Sequence, residues 1–179
     1  IKADLEKILS SIPNVPHLDV PVGKDENDNI EIEKKGEIPK FDFKPKSHIE
    51  LGEKLNMLDF DLATKTTGSR FVFVKDKLAY LERAISNFML DTHINKNGYK
   101  EISPPLLASE NTMFGTGQLP KFEEDQFEVK LDEGSDRKFL IPTAEVILTN
   151  MVKDKIIELK SLPMRFVAST PCFLSLIHI

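Results

Sequence analysis

The sequence predicts an α+β fold with a mostly antiparallel sheet flanked by helices. A long stretch with helical apolar spacing ends at Gly98. Residues 127–131 and 138–141 alternate between apolar and polar side chains around a turn-rich segment, which is typical of a β-hairpin. Helices and strands do not alternate regularly, as they would in a parallel βαβ sheet. These observations together favour helices packed on antiparallel strands.

The first 45 residues divide into a short helix and an extended segment. Residues 2–11 have helical spacing, and the apolar positions are Leu5, Ile8, Leu9 and Ile12. Pro13 then ends the helix. Residues 13–45 contain five of the eleven prolines and five acids between Asp25 and Glu33, so we expect a linker with little buried surface.

The middle of the chain predicts two helices and two strands. A helix is expected over 47–57, with Ile49, Leu51, Leu55 and Leu58 facing inward, and a strand over 71–74. Asp76 is a candidate N-cap for the longest helix, whose buried stripe would be Leu78, Leu81, Ile85, Phe88 and Met89. The strand 99–107 contains a proline pair, which places it at a sheet edge or an interface.

The last third predicts a loop, the hairpin, a helix and a strand. Residues 113–120 contain two glycines and a proline and are expected to form a loop. After the hairpin, a helix is expected over 143–152 and a strand over 165–169.

Composition excludes several classes of protein. No apolar run approaches the ~20 residues that span a bilayer, and the first residues do not resemble a signal peptide. The single cysteine, Cys172, excludes an internal disulfide and fits a reducing, cytoplasmic location; we interpret it as a small buried hydrophobe. A net charge of −5 argues against nucleic-acid binding over the whole surface. The four histidines are too scattered for a metal site.

Thr143-Ala144-Glu145 directly follows Pro142 at a predicted helix start and allows two interpretations. Thr143 can cap the helix, and Glu145 in its first turn suits the helix dipole. Alternatively, the hydroxyl and the carboxylate converge on the ammonium group of a small zwitterion. The two roles are compatible, because a cap would also hold the loop that carries Glu145.

A series of short motifs follows in a characteristic order. They are His48-Ile49-Glu50-Leu51-Gly52-Glu53, Leu58-Asp59-Phe60, Gly68-Ser69-Arg70-Phe71, Leu81-Glu82-Arg83-Ala84, Gly115-Thr116-Gly117-Gln118-Leu119-Pro120-Lys121-Phe122, Pro142-Thr143-Ala144-Glu145 and Thr170-Pro171-Cys172-Phe173. This series resembles the catalytic domain of bacterial-type seryl-tRNA synthetases, which belong to class II of the aminoacyl-tRNA synthetases. The resemblance extends from about residue 1 to residue 173.

The resemblance implies a domain organisation. Residues 1–12 would end the coiled-coil arm that binds tRNA, 13–45 would be a linker, and 46–173 would be the N-terminal part of the class II catalytic domain. Within that part, motif 1 would cover about 85–107, the serine-binding loop 142–146 and the start of motif 2 165–173. The implied dimer-interface residues are Gly98, Tyr99, Pro104 and Pro105.

The resemblance also implies an activity. Such an enzyme activates L-serine with ATP and Mg²⁺ to seryl-adenylate and transfers the serine to tRNA(Ser), with selenocysteine tRNA left open as a further substrate. Thr143, Ala144 and Glu145 would bind serine, and the enzyme would be a cytoplasmic homodimer. The resemblance assigns no catalytic residue and no protein-bound metal to this chain.

The chain departs from the family pattern after Phe173. The family's motif 2 continues Phe-Arg-Ser-Glu, whereas here Leu174, Ser175 and Leu176 occupy the positions expected to bind ATP. Leucine can neither donate a hydrogen bond nor neutralise a phosphate. We therefore expect residues 174–179 to be a non-native tail and the chain, a fragment, to be inactive alone. Two alternatives stay open: a non-catalytic paralogue that dimerises and binds, and a synthetase-like ligase of a carrier protein.

Overall fold

The computed structural model describes residues 1–131, 134 and 136–175, with the side chain of Ala3 left out. The chain forms two compact units, Ile1–Lys77 and Leu78–Ile179. Most of the predicted hairpin turn, 132–136, lies outside the described residues.

The first unit begins with the predicted helix and linker. Helix α1 covers Lys2–Ser11, as expected, and the predicted apolar positions Leu5, Ile8, Leu9 and Ile12 are all more than half exposed. Residues 13–45 are exposed throughout and contain a single 3₁₀ turn, Glu26–Asp28. This segment buries little surface because its apolar residues are separated by prolines and acids.

The rest of the first unit is a small helical and hairpin-like region. Helix α2 covers His48–Lys54, and Ser47 and Glu50 form a reciprocal capping box at its start. Strand β1 (Leu58–Asp59) pairs antiparallel with β2 (Phe73–Val74). Helix α3, Phe60–Thr66, connects the two strands along the chain and was not predicted. The prediction that Ile49, Leu51 and Leu55 face inward was wrong, since each side chain is at least 40% exposed.

Helix α4 covers Asp76–Asn97, which confirms the longest predicted helix. Gly98 follows it with φ +68°. Helices commonly end at a glycine in this left-handed conformation. The predicted buried stripe was wrong, because the described part of α4 contains no buried residue. Leu81, Ile85, Phe88 and Met89 are 47–67% exposed, so helical spacing identified an apolar face that the described residues leave largely exposed.

The strand expected over 99–107 is two strands in different sheets. Strand β3 (Lys100–Glu101) pairs parallel with β7 (Phe166–Val167), whereas β4 (Leu107–Ser109) pairs antiparallel with β6 (Lys138–Leu140). Prolines 104 and 105 lie between them, where the absence of a donor N–H interrupts the ladder. Antiparallel pairing predominates, as predicted, although the sheet is divided into three pieces within the described residues.

The core of the second unit lies between its three-stranded sheet and two short helices. The sheet order is β4-β6-β5, with β5 at Glu128–Val129. Helix α5 covers Glu110–Gly115, and α6 covers Glu145–Asn150. Their shared core consists of Ala108, Met113, Leu119, Phe139, Ile141 and Val146. The predicted loop 113–120 therefore starts inside a helix, and the helix predicted over 143–152 is shorter at both ends.

Candidate functional site

The loop Pro142–Glu145 joins the central strand of the three-stranded sheet to helix α6. Ile141 and Pro142 are buried, Thr143 and Ala144 are half-buried, and Glu145 is exposed. The Ile141 N–H donates to the Leu106 carbonyl at 3.0 Å, which continues the β4–β6 pairing into the loop. The chain thus emerges from the core at this loop, with polar side chains where it reaches solvent.

The hydrogen bonds at the start of α6 differ from the predicted N-cap contact of Thr143. The N-cap residue is Ala144, not Thr143, and no side chain caps the helix. The Thr143 Oγ1 accepts a long bond of 3.4 Å from the Glu145 N–H. The Ile147 and Leu148 N–H groups both donate to the Ala144 carbonyl at 3.0 Å. The Thr143 hydroxyl consequently keeps the capacity to donate to another group.

Thr143, Ala144 and Glu145 line a cavity of about 590 Å³. The other walls are mostly apolar side chains of α6 and of residues 157–168. A second cavity of about 380 Å³ shares Thr143 and Ala144 and includes His93 and Cys172. A few polar groups at the rim of a mostly apolar cavity are the usual arrangement of a small-molecule site.

The structure brings the predicted serine-binding loop next to the predicted start of motif 2. The Phe173 N–H donates to the Ile141 carbonyl at 2.9 Å, two residues before Thr143. Beyond Phe173, Leu174 is 53% exposed, and the Ser175 N–H donates to the Asp125 carbonyl at 3.3 Å. Leu176 lies outside the described residues. Leu174 and Ser175 place no positive charge beside the loop.

The four predicted dimer-interface residues lie around α4 and β3. Gly98 and Pro105 are exposed, and Tyr99 and Pro104 are half-buried. The Tyr99 ring meets the His93 ring edge-on at 5.2 Å, and its N–H donates to the His93 carbonyl at 3.1 Å. These contacts tie the start of β3 to the last turn of α4.

Arg137 and three glutamates form a cluster, called the arginine cluster below, at the start of the strand that leads into the loop. Arg137, directly before β6, pairs with Glu110 at 2.9 Å, with Glu123 at 2.6 Å and with Glu128 at 2.9 Å. Its guanidinium also lies over the Phe139 ring at 4.9 Å. The hydrogen bond from Arg137 lowers the pKa of the Glu128 carboxyl below its usual 4.5, and the three carboxylates raise the pKa of Arg137.

The remaining sequence expectations concern metals, membranes and the cysteine. In the part of the chain that the structure describes, no group of three or more His, Cys, Asp or Glu side chains could hold a metal ion. No described helix is both long and apolar enough to cross a membrane. The interpretation of Cys172 as buried was wrong, since its thiol is exposed and contacts the Thr170 carbonyl at 3.7 Å.

The contacts of α5 with α6 and with Lys153, just beyond α6, were not predicted from the sequence. Asn150 donates to the Thr112 carbonyl at 3.1 Å, and Lys153 Nζ donates to the Asn111 side chain at 2.6 Å. Ser109 was an available sequence signal for the start of α5, because serine is a preferred N-cap residue. In the structure it accepts a hydrogen bond from the Thr112 N–H, as an N-cap does. The glycines that follow favoured a loop instead.

Comparisons with known proteins agree with this geometry, although no family model matches the chain. The serine–tRNA ligase of Pelagibacter ubique is 79% identical over 173 residues, which are 97% of this chain and 41% of that protein. The ATP-complexed seryl-tRNA synthetase of Pyrococcus horikoshii superposes with a TM-score of 0.86 at 33% identity, covering 99% of this chain and 43% of that one. The cytoplasmic serine–tRNA ligase of Naegleria fowleri, complexed with AMP, gives 0.84 at 26% identity, covering 97% and 41%.

The chain has part of the fold of a class II aminoacyl-tRNA synthetase, with antiparallel strands, flanking helices and a polar loop beside a cavity. The chain spans about two fifths of the length of the curated relatives it matches. Within that class, nearly the whole of this chain matches a section of seryl-tRNA synthetases.

Proposed function

We propose that this chain is the serine-recognising section of a serine–tRNA ligase. The observation that carries the proposal is the loop Thr143-Ala144-Glu145, which places a hydroxyl and an exposed carboxylate at the rim of a cavity of about 590 Å³. The identity of 79% to the Pelagibacter ubique ligase supports the same conclusion.

The chemistry of the loop suits a small amino acid. The Glu145 carboxylate pairs with the substrate ammonium group, and a charge-assisted hydrogen bond of this kind is about twice as strong as a neutral one. The Thr143 hydroxyl and the half-buried Ala144 backbone complete the contact. In the reaction, the serine carboxylate attacks the α-phosphorus of ATP, and pyrophosphate leaves with the electrons of the broken P–O bond. The seryl group then passes to the 3′-terminal ribose of tRNA(Ser), and AMP leaves.

ATP is the proposed second substrate because the solved relatives were complexed with ATP and with AMP. The residues after Phe173 do not fit a polyphosphate, since neither Leu174 nor Ser175 is charged. Mg²⁺ would accompany ATP as part of the substrate. We therefore propose that residues 1–173 require the remaining three fifths of a ligase for activity, and that the chain alone is inactive.

The other partners are also proposals. Residues 1–12 are assigned to the end of the tRNA-binding arm, 13–45 to a linker and 46–173 to the catalytic domain. The exposed apolar face of α4, with Gly98, Tyr99, Pro104 and Pro105, is assigned to a homodimer interface. A ligase acting on tRNA(Ser) is placed in the cytoplasm, which agrees with the single exposed cysteine.

The test uses a hybrid ligase in which residues 1–173 replace the matching section of the Pelagibacter ubique protein. Serine-dependent ATP–pyrophosphate exchange is measured for the hybrid and for its Glu145→Gln and Thr143→Val variants. Losing a hydrogen bond to a charged group should raise the KM for serine about tenfold or more. Glu158→Gln, which changes an exposed acid paired with Lys160, is the matched control.

Two results would contradict the proposal. One is a hybrid without serine-dependent exchange. The other is Glu145→Gln and Glu158→Gln variants with the same KM for serine. The separate 179-residue chain should show no exchange above background.

A further inference from the structure

Helix α6, which carries Glu145, is too short to hold its own position. It has six residues, and no side chain caps its N-terminus. Helices of fewer than about 12 residues are marginal in water even with favourable sequences. The direction of the Glu145 carboxylate therefore depends on contacts between α6 and its neighbours.

One polar side chain makes the central contact between α6 and α5. Asn150 is half-buried, and its Nδ2 donates to the Val146 carbonyl at 2.8 Å and to the Thr112 carbonyl at 3.1 Å. It thus joins the last residue of α6 to both the first turn of α6 and the middle of α5. Both N–H groups of the amide are used, so the side chain has a single orientation.

Gly115 provides the space that this side chain occupies. A Cβ added at Gly115 would lie 2.6 Å from Asn150 Oδ1, closer than non-bonded atoms approach. Glycine is therefore required at position 115, because the Asn150 side chain occupies the space that a Cβ would need. Met113 and Val146, both buried, form the apolar part of the same contact.

We propose that Asn150 is a positioning residue for serine recognition, with Gly115 as its required neighbour. The proposal rests on the proposed function, since the loop that it positions is the serine-binding loop. Asn150 touches no substrate: it fastens α6 to α5 and so determines where Thr143 and Glu145 meet the ammonium group. Thr143 and Glu145 would hold serine before the chemical step, so a shift of α6 would weaken their hydrogen bonds to the substrate and raise the KM for serine.

The test compares three variants of the hybrid ligase. Asn150→Asp keeps the size of the side chain but replaces the donating NH₂ with an oxygen facing two carbonyls. Gly115→Ala leaves Asn150 in place but pushes against it. The matched control is Gly52→Ala in the first unit, where a Cβ would press on the Leu58 side chain.

We expect Asn150→Asp and Gly115→Ala each to raise the KM for serine about tenfold, with kcat and the KM for ATP within about twofold of the parent. Gly52→Ala should lower the thermal midpoint and leave the KM for serine unchanged. A purely structural role would instead lower the midpoint of all three variants and change no KM.

Two further results would overturn the proposal. If the KM values for serine and ATP rise equally, Asn150 does not position the serine loop specifically. If the variants match the parent in every parameter, the contact has no effect on recognition. A parent hybrid without serine-dependent exchange overturns the proposed function itself, whereas an active parent with unaffected variants overturns only this inference.

Discussion

At the scale of single residues, Arg137 joins three separate segments to the start of β6. It contacts α5 through Glu110, the 3₁₀ turn Glu123–Asp125 through Glu123, and β5 through Glu128. Each contact is partly exposed, so each alone adds little to stability. One planar guanidinium shared among three carboxylates, however, holds these segments at the start of β6 and hence near the loop Pro142–Glu145.

The arginine cluster predicts a specific acid sensitivity. Because the folded pKa of Glu128 is lowered, its contribution to stability is present above its unfolded value of 4.5 and is lost as the pH falls through the folded pKa. The thermal midpoint should therefore fall as the pH drops below 4.5. In Arg137→Met, this part of the pH dependence should disappear, because the pKa of Glu128 returns towards 4.5.

The control for this prediction is Lys75→Met. It removes the ion pair with Asp59, a carboxyl whose pKa is also lowered, but leaves Glu128 unchanged. NMR titration of the Glu128 side-chain carbon measures its pKa directly. An ordinary value of 4.5 in the parent chain would contradict the prediction.

At the scale of elements, the second unit depends on a small core. Ile141 is fully buried between the central strand β6 and helix α6, and it precedes the candidate site by two residues. Deleting its outer carbons would leave a cavity that the surrounding sheet and helices cannot fill. The same core supports the strand, the helix and the loop between them.

The effect of burial on stability can be tested with the same substitution at a buried and at an exposed isoleucine. Ile141→Ala should lower the free energy of unfolding by about 2–5 kcal/mol, the usual cost of this change in a core. Ile156, which is 102% exposed, gives the same substitution outside the core, and Ile156→Ala should stay within about 0.5 kcal/mol of the parent. Urea unfolding measures both. Equal losses in the two variants would show that Ile141 is not a core residue in solution.

The elements also show which sequence signals were sufficient. Helix α4 and the β5–β6 hairpin were predicted from local periodicity and were confirmed. Helix α3 was missed, and the last three residues of α5 were predicted as part of the loop 113–120. In such short helices, the N-cap contacts of Asp59 and Ser109 and the packing of one buried side chain outweigh propensity.

At the scale of the whole molecule, the apolar face of α4 is the main unsatisfied feature. Tyr80, Leu81, Ile85, Phe88 and Met89 are 47–67% exposed on one helix. A patch of this kind on a folded protein usually marks an interface. In the proposed ligase, Ile85, Phe88 and Met89 of this face lie in motif 1, so the partner would be a second copy of the chain.

The interface proposal predicts the oligomeric state. The parent chain should sediment as a dimer, and Phe88→Glu should sediment as a monomer, because a buried unpaired charge opposes association. Ile156→Glu places the same charge on a fully exposed residue outside motif 1 and should leave the dimer intact. Identical sedimentation of the two variants would remove α4 from the interface.

The sequence by itself determined the family, the order of the main elements and the candidate loop Thr143-Ala144-Glu145, because periodicity, turn residues and short motifs are local. Only the tertiary structure decided what surrounds that loop. Phe173 lies beside Ile141, and Asn150 of α6 bonds to Thr112 of α5. These contacts join residues about 30–40 positions apart, and no local pattern encodes them. Burial was likewise a tertiary outcome, since the face of α4 has helical spacing but stays largely exposed in the part of the chain that the structure describes.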